Sequence, residues 1–119
     1  MRAKWSAARL EKAMLEVLGT CEIILTERAI RVNGKPCAAK IVWDRGPPLI
    51  TIDAYSFGRV KAVMHELLHY VLREEMVRYN ETVEEIVIEG LTEYMLNGVV
   101  AKNTKRWKMW TKAIAGRVK

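Results

Sequence analysis

The feature that most constrains this fold is a change in apolar periodicity along the chain. Residues 5–18 carry apolar side chains at helical spacing, whereas residues 22–53 contain short alternating or β-branched segments typical of strands. Helical spacing returns after Asp53 and continues to about residue 115. A helix, a small sheet and then several helices predict an α+β fold, and 119 residues suffice for one domain spanning residues 1–119.

The central region predicts a small antiparallel sheet of three to four strands. The predicted strands are residues 22–26, 29–32, 39–44 and 49–53. Asn33-Gly34 is a strong tight-turn signal, and the segment from Arg45 to Pro48 interrupts the pattern before the last strand.

Three helices are expected after the sheet. Apolar residues from Val60 to Leu72 form a wide stripe, and this helix is predicted to end near Met76. Thr82 to Glu85 has the spacing of a capping box and predicts the start of a helix that ends near Asn97-Gly98. The last helix, at about 104–115, is expected to carry its tryptophans on one side and its lysines on the other.

A pattern of metal-binding type lies on the first of these helices. His65-Glu66-Leu67-Leu68-His69 is a His-Glu-x-x-His sequence that contains both histidines of the chain. Two histidines four residues apart share a helix face, about 5–6 Å apart at Cβ, so both imidazoles can reach one zinc ion. Glu66 lies one residue further round the helix, where it can take a proton from an activated water.

A third ligand is predicted from helix geometry. If the first helix ends near Met76, the chain turns there and the next helix runs antiparallel to the first. A helical rise of about 12 Å from Glu81 then places Glu89 level with the histidines. Glu89 is therefore the predicted ligand, with Glu85, one turn earlier, as the alternative. Glu93 shares the face of Glu89 and could receive the second ring N–H of His65.

Gly90 follows the predicted ligand inside a helix, where glycine costs about 1 kcal/mol relative to alanine. The expected reason is close approach between the two helices that carry the site.

These residues resemble the gluzincin metallopeptidases, the thermolysin-like group, and the length is similar to that of the minimal single-domain members, the minigluzincins and phage-type enzymes. The resemblance rests on residues 65–69, nineteen intervening residues, and then Glu89-Gly90-Leu91-Thr92-Glu93. It implies a zincin-like metallopeptidase that hydrolyses peptide bonds with one Zn²⁺ per chain. His65, His69 and Glu89 would be ligands, Glu66 the general base and Glu93 an orienting residue.

The resemblance also implies where a peptide or protein substrate lies. In this group an edge strand covers the cleft, and the matching segment here is Leu49, Ile50, Thr51, Ile52 and Asp53. Larger relatives use a further histidine or tyrosine to stabilise the oxyanion. No third histidine exists in this chain, and Tyr55, Tyr79 and Tyr94 remain alternatives.

The charge distribution supports a second hypothesis. The net charge is +6, and the chain from Lys102 onward has seven basic and no acidic residues. A helix with lysines and with Trp107 and Trp110 could make the chain a non-catalytic, metal-stabilised module that binds nucleic acid or a protein. Packing of both tryptophans on the core is the alternative. A third hypothesis is that residues 103–119 shield the active site and make the enzyme latent.

The sequence also bears on the cellular compartment in which the protein is expected. No apolar run approaches the roughly 20 residues that span a bilayer, and the basic N-terminus lacks a signal-peptide core, so a cytoplasmic protein without membrane contact is expected. Cys21 and Cys37 are interpreted as small buried residues rather than as a disulfide. The sequence does not indicate an oligomeric state.

Overall fold

The structure is a computed structural model that describes residues 5–32, 34–44, 46–54 and 58–119. Within these ranges the elements are α1 (Ala7–Leu18), β1 (Glu22–Thr26), β2 (Ile30–Val32), β3 (Lys35–Cys37), β4 (Ala39–Val42), β5 (Leu49–Asp53), α2 (Arg59–Val71), α3 (Glu81–Met95), a π-helical turn (Leu96–Val100) and α4 (Thr104–Ala115). The predicted α+β class is confirmed.

Helix ends are set by local capping. Ser6 precedes α1, and its side chain accepts a hydrogen bond from the Arg9 backbone N–H at 3.2 Å. Asn80 caps α3 in the same way, accepting from the Val83 N–H at 2.9 Å. The helix therefore begins at Glu81, and the capping box predicted at Thr82 is wrong because the better N-cap residue lies two positions earlier.

Pairing in the sheet differs from the prediction. The three-stranded sheet has the order β1-β5-β4, with β1 parallel and β4 antiparallel to β5. The all-antiparallel prediction is wrong because the long connection after β1 lets the chain return in the same direction. A separate hairpin joins β2 to β3, with Val32 opposite Lys35 as a two-residue turn requires. Asn33, half of the predicted turn, lies outside the described residues.

The position of β5 overturns a second prediction. It is the central strand, so both its edges are hydrogen-bonded and it offers no free edge to a peptide. The two outer strands, β1 and β4, differ in whether their outer edges are covered. The outer edge of β1 is covered by the last residues of the chain, because the Ile23 N–H donates to the Arg117 carbonyl at 3.2 Å and the Lys119 N–H to the Ile23 carbonyl at 2.9 Å. In the part of the chain that the structure describes, no strand pairs with the outer edge of β4.

Helix α2 lies at the centre of the core and packs against the sheet and against α1, α3 and α4. The fully buried large side chains come from every layer: Trp110, Met14, Leu18, Ile23, Ile50, Ile52, Met64, Leu67, Leu68, Ile88, Met95 and Val63. Trp110 donates its indole N–H to Glu11 at 3.0 Å, whereas Trp107 is 39% exposed. The two tryptophans of α4 therefore do not form one exposed face.

Candidate metal centre

Helix α2 places the two histidines side by side. Its other faces are buried through Val63, Leu67 and Leu68, which fixes the rotation of the helix against the core. The His65 and His69 side chains are 15% and 14% exposed. Their ring centroids are 4.9 Å apart and their Nε2 atoms 3.2 Å apart. Both Nε2 atoms therefore point to the same space.

Helix α3 brings a carboxylate to that space, and it belongs to Glu85. Its Oε1 lies 2.6 Å from His69 Nε2, and its Oε2 lies 3.3 Å from His65 Nε2. One donor atom from each of the three residues fits within 4.8 Å of the others. The structure thus assigns the third position to Glu85, the alternative of the sequence analysis, and not to Glu89.

The shift from Glu89 to Glu85 has a physical cause. Helix α2 ends at Val71 rather than near Met76, so α3 starts closer to the histidines and needs a shorter climb to reach them. Five residues of helix correspond to about 7 Å of rise, which is more than one turn. The glutamate that meets the imidazoles is therefore one turn earlier on α3.

The remaining ring nitrogens are held by two other carboxylates of α3. Glu89 Oε2 lies 3.1 Å from His65 Nδ1, and Glu84 Oε2 lies 2.7 Å from His69 Nδ1. A carboxylate on Nδ1 fixes the tautomer and orientation that leave Nε2 free for a metal. Glu93, predicted for this role, contacts Lys61 and Asn97 instead.

Glu84 was not foreseen in the sequence. It lies beside Glu85 near the start of α3, where acidic residues are common for reasons of helix dipole alone. Only the correct end of α2 would have placed it opposite His69. Gly90 also departs from the expected role, because a Cβ at this position would have no heavy atom within 4 Å. The proposed close helix approach at Gly90 is therefore wrong.

Glu66 is buried beside the cluster, with 9% of its surface exposed. Burial raises its pKa from 4.5 to about 8, and the negative charge of Glu85 adds to the effect. Burial lowers the pKa of His65. A lowered pKa favours the neutral imidazole, which is the form that binds a metal.

The donor set could hold a metal ion. Two imidazole nitrogens and one carboxylate oxygen, with room for a further ligand, are typical of catalytic zinc sites. Ligand atoms about 2.0–2.1 Å from a tetrahedral ion are about 3.3 Å apart. The observed Nε2–Nε2 distance of 3.2 Å and the distance of 3.3 Å from His65 Nε2 to Glu85 Oε2 are close to this value, whereas the distance of 2.6 Å from His69 Nε2 to Glu85 Oε1 is shorter.

The cluster opens into a groove of 990 Å³ between α2, α3 and the sheet. Its sheet side is formed by β4 with the preceding hairpin, its floor by α2 and its other side by α3. Residues 49–53, predicted to bind substrate, do not line it, and neither do Tyr79, Tyr94 or residues 103–119. Tyr55 lies outside the described residues. In the described structure, the last part of the chain packs on α1 and β1 rather than over the site.

Comparisons with known proteins give no further identification. No protein-family model, no curated protein and no solved structure matches the chain. None of the described helices is both long enough and apolar enough to cross a membrane. The functional interpretation therefore depends on the geometry of the site.

Proposed function

We propose that this chain is a zinc-dependent hydrolase of peptide bonds. The observation that carries the proposal is the convergence of His65, His69 and Glu85 next to a buried glutamate in an open groove. The sequence likeness to gluzincins agrees with this chemistry, although the ligand glutamate lies one turn earlier than that likeness implies.

The residues have separate roles in this proposal. His65, His69 and Glu85 hold the metal, and Glu84 and Glu89 keep the two imidazoles in the binding orientation. A zinc ion in this position would polarise a substrate carbonyl and acidify a water molecule.

Glu66 moves the proton. A nearby cation favours the ionised form of a carboxyl group, so metal binding opposes the burial that keeps Glu66 protonated. The ionised Glu66 accepts a proton from the attacking water and gives it to the leaving amine as the C–N bond breaks.

The substrate lies along β4 in this proposal, rather than along β5. The Asp53 N–H donates to the Ala38 carbonyl at 2.8 Å, so Ala38 belongs to a hydrogen-bonded pair with β5. Pairing alternates along an antiparallel ladder. Ala39 and Ile41 therefore direct their main-chain groups away from β5, and both residues line the groove. An extended peptide can add to this edge as a further strand.

The test compares three proteins on an unstructured protein substrate. Wild-type protein loaded with zinc should cleave it, and chelation should stop the cleavage. Glu66→Gln should keep stoichiometric zinc and lose activity by at least about 100-fold. Glu85→Ala should lose zinc and activity together. Full cleavage by zinc-loaded Glu66→Gln would refute the mechanism.

The binding-module hypothesis retains one supporting observation. Trp107 is partly exposed on α4, among the exposed lysines Lys105, Lys108 and Lys112, although Trp110 is buried. Nucleic-acid binding through this surface would weaken steeply with salt. Absence of DNA and RNA binding at low salt would refute the hypothesis that this surface binds nucleic acid. We keep the cytoplasm as the proposed compartment, where the free thiols of Cys21 and Cys37 are stable.

A further inference from the structure

Two lysines on the sheet side of the groove, Lys35 and Lys40, form no ion pair with a described carboxylate, and Lys40 is the less exposed of the two. Lys61, on the floor, is held by Glu89 and Glu93. Lys40, on β4, is half-buried and lines the same groove. Among residues 5–32, 34–44, 46–54 and 58–119, no ion pair joins Lys40 to an acidic side chain. A substrate group is therefore free to provide the partner.

The acidic residues that line the groove belong to α2 and α3, whereas Lys35 and Lys40 lie on the sheet side. Glu84 contacts His69, Glu85 contacts both histidines, and Glu89 lies between His65 and Lys61. These carboxylates are engaged on the α2 side of the groove. Lys35, exposed on β3, adds a second positive charge on the sheet side.

Lys40 shares the groove with the metal-binding cluster. His65, His69 and Glu85 line the same groove. A strand added to the edge of β4 would therefore pass both Lys40 and the proposed metal site.

We propose that Lys40 selects peptides that carry an acidic side chain directly opposite it on the bound strand. This inference rests on the proposed function, because it assumes that substrate adds to the edge of β4. The main-chain groups of Lys40 face β5, so an added strand meets Lys40 at a non-hydrogen-bonded pair. Side chains approach most closely at such pairs, and opposite charges there are favourable.

The experiment uses a neutral fluorescent peptide in which a single Glu, Gln or Lys is moved through successive positions. Binding is measured with zinc-loaded Glu66→Gln protein, and cleavage with zinc-loaded wild type. At one position Glu should improve binding about two- to fivefold over Gln, and Lys should weaken it. Lys40→Gln should remove the difference and Lys40→Glu should reverse it. Lys102→Gln, on an exposed turn outside the groove, is the matched control and should retain the preference.

The two proposals fail in different ways. Charge-selective binding that depends on Lys40, without cleavage by wild type, would support the inference and refute peptide hydrolysis. Cleavage without a charge preference, or a preference that persists in Lys40→Glu, would overturn the inference and leave hydrolysis standing. Absence of peptide binding at every position would overturn the inference as well.

Discussion

Replacing the buried Glu66 by glutamine should stabilise the metal-free protein at neutral pH. In the folded chain the pKa of Glu66 is raised from 4.5 to about 8, so the folded state holds a proton that the unfolded state releases. Between these values the folded state binds more protons, and its stability therefore falls as the pH rises. The full difference between the folded and unfolded pKa of Glu66 corresponds to a loss of about 5 kcal/mol in the free energy of unfolding, of which about 3 kcal/mol is reached at pH 7. Glutamine is neutral at every pH and avoids this cost.

Urea unfolding in the presence of a chelator at several pH values between 4 and 8.5 measures the effect. The free energy of unfolding of Glu66→Gln minus that of wild type should be near zero below pH 4.5 and should grow steadily to pH 8. Other groups titrate in both proteins and largely cancel in this difference. Glu74→Gln, at an exposed carboxylate, should change stability by less than about 0.5 kcal/mol at every pH. A difference that does not vary with pH, or a less stable variant at pH 7, would refute the reasoning.

Three further predictions follow from the site and the core. Glu85→Ala should abolish stoichiometric zinc binding, whereas Glu89→Ala should keep one zinc per chain with affinity reduced about 10- to 100-fold. Mass spectrometry measures the zinc content, and competition with a chelator measures the affinity. Equal losses in the two variants would contradict the assignment of Glu85 as the third ligand. Trp110→Ala should lower the free energy of unfolding by about 3–5 kcal/mol, because it empties a fully buried position and removes the indole donor from Glu11 Oε2. A loss below about 1 kcal/mol in urea titration would be inconsistent with this burial. Gly90→Ala should raise stability by up to about 1 kcal/mol in the same assay, and destabilisation would show that the position is not open.

The order of elements was predictable because apolar periodicity is a local property. Helix α1, the five-residue strand β5 and helix α4 lie where the sequence patterns place them. The pairing of the strands was not predictable from the sequence, because the choice of partner strand depends on how the whole chain packs. The short strand β3 was also missed, since Pro36 cannot donate a ladder hydrogen bond and is typical of an edge or a loop.

The candidate site was predictable to within one helical turn. His65, Glu66 and His69 are identified by their spacing on one helix, which no tertiary contact alters. The glutamate depends on where α2 ends, and the segment after Val71 continues with good helix formers although the chain turns there. An error of five residues in that boundary was enough to exchange the roles of Glu85 and Glu89.

All three carboxylates that surround the histidines belong to α3, and the same helix buries Ile88 and Met95 in the core. A change that rotated the helix to move one carboxylate would also expose these apolar residues. Changes in the sequence of α3 are therefore restricted both by packing in the core and by the positions of the site carboxylates. The nine residues between Val71 and Glu81 are not restricted by both requirements. Insertions in homologous chains should accumulate in that turn and be rare between Glu81 and Met95, and a library of random insertions selected for zinc binding should show the same distribution.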